Sequence, residues 1–137
     1  MGVINYNAAP DVRKIFNDIV RCLNLSHIDC NMVRFFRSKG SKSRYTIARI
    51  YGLSKIWQDA LNLKPYYVLE VISEKYDKLP IEEKEKTLIH EALHIPHSFK
   101  GGFRHHKYNI TDEKIDTLYK AYKCSRANRH ISKAVRD

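Results

Sequence analysis

A chain of 137 residues, 43% of them hydrophobic, is long enough for one domain with a real core. Its net charge of +10 fits either attraction to polyanions such as nucleic acid or a solvated, lysine-rich surface. No apolar run approaches the ~18 residues of a membrane span, and an odd set of three cysteines (Cys22, Cys30, Cys124) without Cys-x-x-Cys argues against a disulfide framework or a cysteine-rich zinc site.

The start, Met1-Gly2-Val3-Ile4-Asn5-Tyr6-Asn7, has neither the basic region nor the long apolar stretch of a signal peptide. A cytoplasmic protein without a membrane partner is expected. Val12, Ile15, Phe16, Ile19, Val20 and Leu23 then recur at three-to-four spacing behind Pro10, which predicts an amphipathic helix with proline in its first turn. Ile28 to Phe36 reads as a strand ending in the basic turn Arg37 to Arg44, centred on Gly40. Tyr45 to Tyr51, β-branched and aromatic, reads as a second strand forming a hairpin with the first. Arg34, Arg37, Lys39, Lys42, Arg44 and Arg49 gather on that hairpin, either to grip a nucleic-acid backbone or to protect a solvated edge.

Ser54 is placed to cap a short helix over residues 55–61, with Trp57 as its packing residue. The strongest strand signal is Pro65 to Ile72, with Tyr67, Leu69 and Val71 on one face and Tyr66, Val68, Glu70 and Ile72 on the other. This strand is either internal or free to bind an extended substrate along its edge. Pro80, followed by Glu82, Glu83 and Glu85, opens another helix.

That helix contains Leu88-Ile89-His90-Glu91-Ala92-Leu93-His94-Ile95-Pro96. Positions i and i+4 share a helical face, so His90 and His94 can offer two imidazoles to one metal ion. Glu91 stands where a carboxylate reaches water at that ion, the His-Glu-x-x-His pattern of zinc peptidases. Pro96 should stop the helix near Ile95. Catalytic zinc usually takes three protein ligands and a water. Spacing leaves the third ligand open among His97, His105, His106, Glu113 and Asp116. Gly101-Gly102 allows a reversal that returns His105 or His106, and about twelve residues can span about 40 Å when extended.

The run from Leu88 to Pro96, followed by Ser98-Phe99, Gly101-Gly102, Arg104 and His106, resembles the small zinc metallopeptidases of archaea and phages, which are similar in style to SprT-like zinc proteases. Residues 48–58 and the strand Tyr66 to Ile72 share the resemblance, which covers roughly residues 45 to 122. It implies an α+β, minimal zincin-like fold. A small, mostly antiparallel sheet would pack with an N-terminal helix, the active-site helix and a C-terminal helix. It also implies a single domain over residues 1–137. In the family's pattern the third histidine follows the arginine by two residues, which here is His106; His97 and His105 are additional to that pattern.

The expected activity is peptide hydrolysis by zinc-activated water. Glu91 is the general base, His90, His94 and His106 hold Zn2+, and Arg104, Tyr108 or His105 assist the oxyanion. The substrate would be a peptide or protein. The competing reading is a zinc-stabilised nucleic-acid-binding module without protease activity, and a DNA-stimulated protease would combine the two. Thr111 is placed to cap a last helix bearing Ile115, Leu118, Tyr119 and Tyr122. From about residue 125 the chain is a basic extension, readable as a helical continuation, a frayed tail or a nucleic-acid arm.

Overall fold

The computed structural model describes residues 2–102 and 110–136, with side chains as far as residue 129. Its centre is β4 (Tyr67–Ile72), in which every residue except Val68 is buried. A strand apolar on both faces is stable only with neighbours on both edges. It has them: β2 (Val33–Lys39) runs parallel on one side, from Val33↔Tyr67 to Ser38↔Ile72. On the other side β3 (Ala48–Gly52) runs antiparallel, from Ala48↔Val71 to Gly52↔Tyr67. β1 (Asn5–Ala8) adds to the far edge of β2, antiparallel, which gives the order β1-β2-β4-β3. Two of the three pairings are antiparallel, in a mixed sheet with helices, the α+β class expected.

The predicted hairpin does not form, because β4 lies between its two strands. The turn at Gly40 (φ +98°) docks on the helix after β4 instead: the Gly40 N–H donates to the Glu74 carboxylate at 3.1 Å. Insertion of the most apolar strand buries more surface than a local hairpin whose outer faces are largely exposed. The basic cluster is dispersed accordingly. Arg37 forks onto Asp11 (2.7 and 3.0 Å) and also reaches Asp77 (2.8 Å). The guanidinium holds the Asp11 carboxyl below its usual range. The β1 segment, rich in asparagine, carries little strand propensity and was not expected from its sequence.

α1 (Pro10–Cys22) buries Val12, Phe16, Ile19 and Cys22 and has proline in its first turn, as its spacing predicts. Phe16 meets Phe35 of β2 with ring centroids 5.2 Å apart. α2 (Lys55–Leu61) begins at Ser54, although the serine side chain makes no capping bond. Trp57 is 57% exposed rather than packed; the residue this short helix buries is Gln58. After α3 (Ser73–Tyr76) come α4 (Ile81–Leu93) and α5 (Asp112–Arg136). Thr111 caps α5 by accepting the Lys114 N–H at 3.1 Å, and α5 packs through Ile115, Tyr119 and Tyr122.

The basic extension is therefore a helical continuation of α5. Arg126 bonds Glu85 of α4 at 3.2 Å and lies 3.8 Å from Asp18 of α1, while Tyr119 donates to Glu85 and Tyr122 to Asp18. These bonds tie α5 across both neighbouring helices. All three cysteines are free. No helix among the described residues is long and apolar enough to cross a membrane.

Candidate metal centre

α4 starts after Pro80, which occupies the N-cap, and carries Glu82 and Glu83 in its first turn against the positive helix end. Leu88, Ile89 and Ala92 are buried in the core. His94 is the C-cap, and the Ile95 N–H still bonds the Ala92 carbonyl at 3.1 Å before Pro96 ends the run. The stop falls where the proline predicts it.

One helical turn brings His90, Glu91 and His94 together, with one potential ligand atom from each lying within 4.8 Å of the others. The two imidazole Nε2 atoms are 3.3 Å apart. Two nitrogens held at about 2.05 Å from zinc at a tetrahedral angle lie about 3.3 Å apart, so the pair has the spacing of cis ligands to one ion. Glu91 is only 6% exposed, and burial alone pushes its carboxyl up to about 8. A divalent cation beside it would favour the carboxylate again.

The three residues open on a cleft of about 920 Å³. One wall is the chain from Tyr45 to Ile50, which includes most of β3; the other is formed by α4 and the start of α5. β3 pairs with β4 along one edge, and among the described residues no strand covers its other edge. The strand from Tyr66 to Ile72 is internal, so edge binding there is excluded; β3 is the strand beside the histidines. Sequence reading missed this wall because it follows from strand order.

Among the described candidates for third ligand, none joins the cluster. Asp116 lines the cleft but is paired with Lys86 at 3.2 Å. Glu113 sits in the first turn of α5. His97 packs its ring on His27, centroids 4.3 Å apart, and His27 Nε2 donates to the Ile95 carbonyl at 3.2 Å. His105 and His106, with Arg104 and Tyr108, lie outside the described residues.

The chain leaving α4 is held before it reaches them. Gly101 has φ +99°, the reversal that the Gly-Gly pair predicts. The Tyr67 hydroxyl accepts the Gly101 N–H (2.9 Å) and donates to the Gly102 carbonyl (3.0 Å). Gln58 Nε2 donates to the carbonyls of Leu53 (2.7 Å) and Lys100 (3.0 Å). Neither residue carries a sequence signal for this role, since each bonds backbone more than thirty residues away.

A family model described as "Putative phage metallopeptidase" matches residues 4–132. No curated protein and no solved structure matches the chain.

Proposed function

Because the chain belongs to the putative phage metallopeptidase family over residues 4–132, we propose that it is a zinc-dependent peptidase of the His-Glu-x-x-His type. The observation that carries this reading is the 3.3 Å convergence of His90 and His94 Nε2 beside the buried Glu91. His90 and His94 are two ligands, and His106 is the third. Bound zinc would supply Lewis acidity, lowering the pKa of nearby water to about 7 and stabilising a developing oxyanion.

Glu91 then acts as general base. It takes the proton from the attacking water and passes it to the leaving amine. Its burial removes competing water and makes its affinity for a proton responsive to one neighbouring charge. An extended peptide enters as an added strand on the outer edge of β3, which no strand covers among the described residues, and backbone pairing there holds it across the cleft and leaves the histidines to face the scissile bond.

Metal analysis of untagged protein tests the assignment. One zinc per chain is expected, lost in His90→Ala and His94→Ala. Glu91→Gln keeps zinc and loses cleavage of a denatured protein substrate. Full zinc content in both histidine variants would refute it.

A further inference from the structure

The two faces of the sheet differ. Val33 and Phe35 of β2 and Tyr67, Leu69 and Val71 of β4 share one buried core with the helices. Side chains alternate along a strand, so Arg34, Phe36, Val68 and Glu70 point the other way, with Tyr6 of β1 and Arg49 and Tyr51 of β3 beside them. One end of this outer face is closed, since Ser38 and Ile72 are buried. The rest forms a groove of about 390 Å³ lined by Tyr6, Phe36, Tyr51, Val68 and Glu70. Tyr6 is 58% and Tyr51 44% exposed, and Phe36 and Val68 are half-buried.

Strand register sets three of these rings in a line. Tyr6 pairs with Ser38, two residues beyond Phe36. Tyr51 pairs with Val68, two residues before Glu70, and Glu70 is the partner of Phe36. The positions therefore step diagonally across the sheet, from Tyr6 to Phe36 to Tyr51. With strands about 4.8 Å apart and about 3.3 Å per residue along each, the steps are about 8 Å and about 12 Å. Planar rings in a row on the open face of a four-stranded sheet suit bases that have left their stack, two or three at a time.

Charge points to the same occupant. The outward positions of the four strands hold three charged residues, Arg34, Arg49 and Glu70. Glu70 is buried, and its carboxylate accepts the Tyr51 hydroxyl at 2.6 Å, which fixes that ring. Both arginines are exposed. Arg34 lies over the Tyr66 ring, 5.4 Å from its centroid, and donates to the Asn31 carbonyl at 2.6 Å. Among the described residues no carboxylate forms a salt bridge with either arginine. The hairpin on which the sequence gathers its basic residues does not form, yet two of them meet here beside the rings, in a chain of net charge +10. An apolar protein surface would cover the rings and leave both guanidiniums unpaired. A nucleic-acid strand supplies bases for the rings and phosphates for the arginines.

We propose that the outer face of the sheet binds single-stranded nucleic acid, with bases stacked on Tyr6, Phe36 and Tyr51 and phosphates held by Arg34 and Arg49. This face is opposite the one on which α4 packs, and the inference stands independently of the peptidase reading.

The test titrates the full chain against a fluorescein-labelled single-stranded DNA of mixed sequence, about twelve nucleotides long, and against the same sequence as duplex, both read by anisotropy. Tyr6→Leu and Tyr51→Leu keep charge and apolar area and lose the flat ring. Tyr51→Phe keeps the ring and loses the bond to Glu70. A melting curve for every variant establishes that it is folded, and Tyr6→Leu, at the more exposed ring, decides alone if Tyr51→Leu fails to fold. The single strand is expected to bind more tightly than the duplex. Each leucine variant should lose about fivefold or more in affinity for it, and Tyr51→Phe less than Tyr51→Leu. Arg49→Met should reduce the slope of log affinity against log salt by about 0.7.

Leucine variants with wild-type affinity, or a duplex bound as tightly as the single strand, would show attraction by net charge alone and overturn the inference. Equal losses in Tyr51→Phe and Tyr51→Leu would overturn stacking on that ring, because the hydroxyl would carry the effect. A wild-type chain that binds no single strand at low salt overturns the inference as a whole.

Discussion

Replacing Glu91 by glutamine in metal-free protein separates the cost of the site from its chemistry. The carboxyl is buried, and burial raises it from 4.5 to about 8. Between those two values the unfolded chain has released a proton that the folded chain retains. The unfolded state binds fewer protons there, so stability falls as pH rises. The Glu91 contribution is intact below pH 4.5 and lost progressively up to about 8. At about 1.4 kcal/mol per pH unit the interval corresponds to about 5 kcal/mol, and water entering the cleft reduces the measurable effect to about 2–4 kcal/mol. Glutamine has the same shape and no charge to desolvate. Urea unfolding after chelation, followed by circular dichroism, should therefore find Glu91→Gln more stable than wild type by that amount near pH 8, with the difference vanishing towards pH 4.5. The subtraction cancels histidine titration common to both proteins. A pH-independent difference, or a less stable variant at pH 8, would refute the account of Glu91 as an uncompensated buried acid.

Glu85→Gln should move stability the other way, by about 1–2 kcal/mol of destabilisation at neutral pH, because Arg126 loses its buried partner while its own 44% exposure limits the loss; the denaturant midpoint is the readout. Alkaline unfolding should begin above pH 10. Burial raises the hydroxyls of Tyr76, Tyr119 and Tyr122, that of Tyr119 up to about 12. Their protonated forms thus stabilise the fold below pH 10, and this is lost as pH rises through their folded values; a Tyr119→Phe variant should show a weaker alkaline decline. Nucleic-acid association, if the +10 charge produces it, should weaken steeply with salt. Arg37→Met should leave that affinity unchanged, since the guanidinium is already shared by Asp11 and Asp77; a loss as large as that of Lys42→Ala in a gel-shift series would show that Arg37 reaches the polyanion.

What sequence revealed here is what lies close along the chain. The periodicity of Val12, Phe16 and Ile19 marks α1, Pro96 marks the end of α4, and i,i+4 spacing alone brings His90 to His94. Strand partners are a matter of competition between distant segments. The polar stretch from Gly40 to Arg44 imitates a hairpin turn, yet the burial of β4 at every residue but Val68 decides the order of the sheet. That apolar run, broken only by Glu70, was the available signal for a central strand. Trp57 and Gln58 show the same limit within two residues. Side-chain type suggests which is inside, but Gln58 is buried because backbone carbonyls from two separate loops converge on its amide.

α4 carries two buried acids, six positions apart, in opposite circumstances. Glu85 receives a hydroxyl from Tyr119 and a guanidinium from Arg126, so the cost of burying it is offset by partners on α5. Among the described residues no donor meets Glu91, and burial is the only cause acting on its carboxyl. A fold selected only for stability has no use for that second acid, and an apolar side chain there would remove a desolvation cost. Its neighbours give the cost a purpose. One residue before it and three after stand imidazoles spaced for one cation, and the cleft beside them is bounded by β3, whose outer edge no strand covers among the described residues. Under the proposed peptidase reading, a carboxyl that is uncompensated in the metal-free protein would change its proton affinity on binding a cation, which is the property a general base needs.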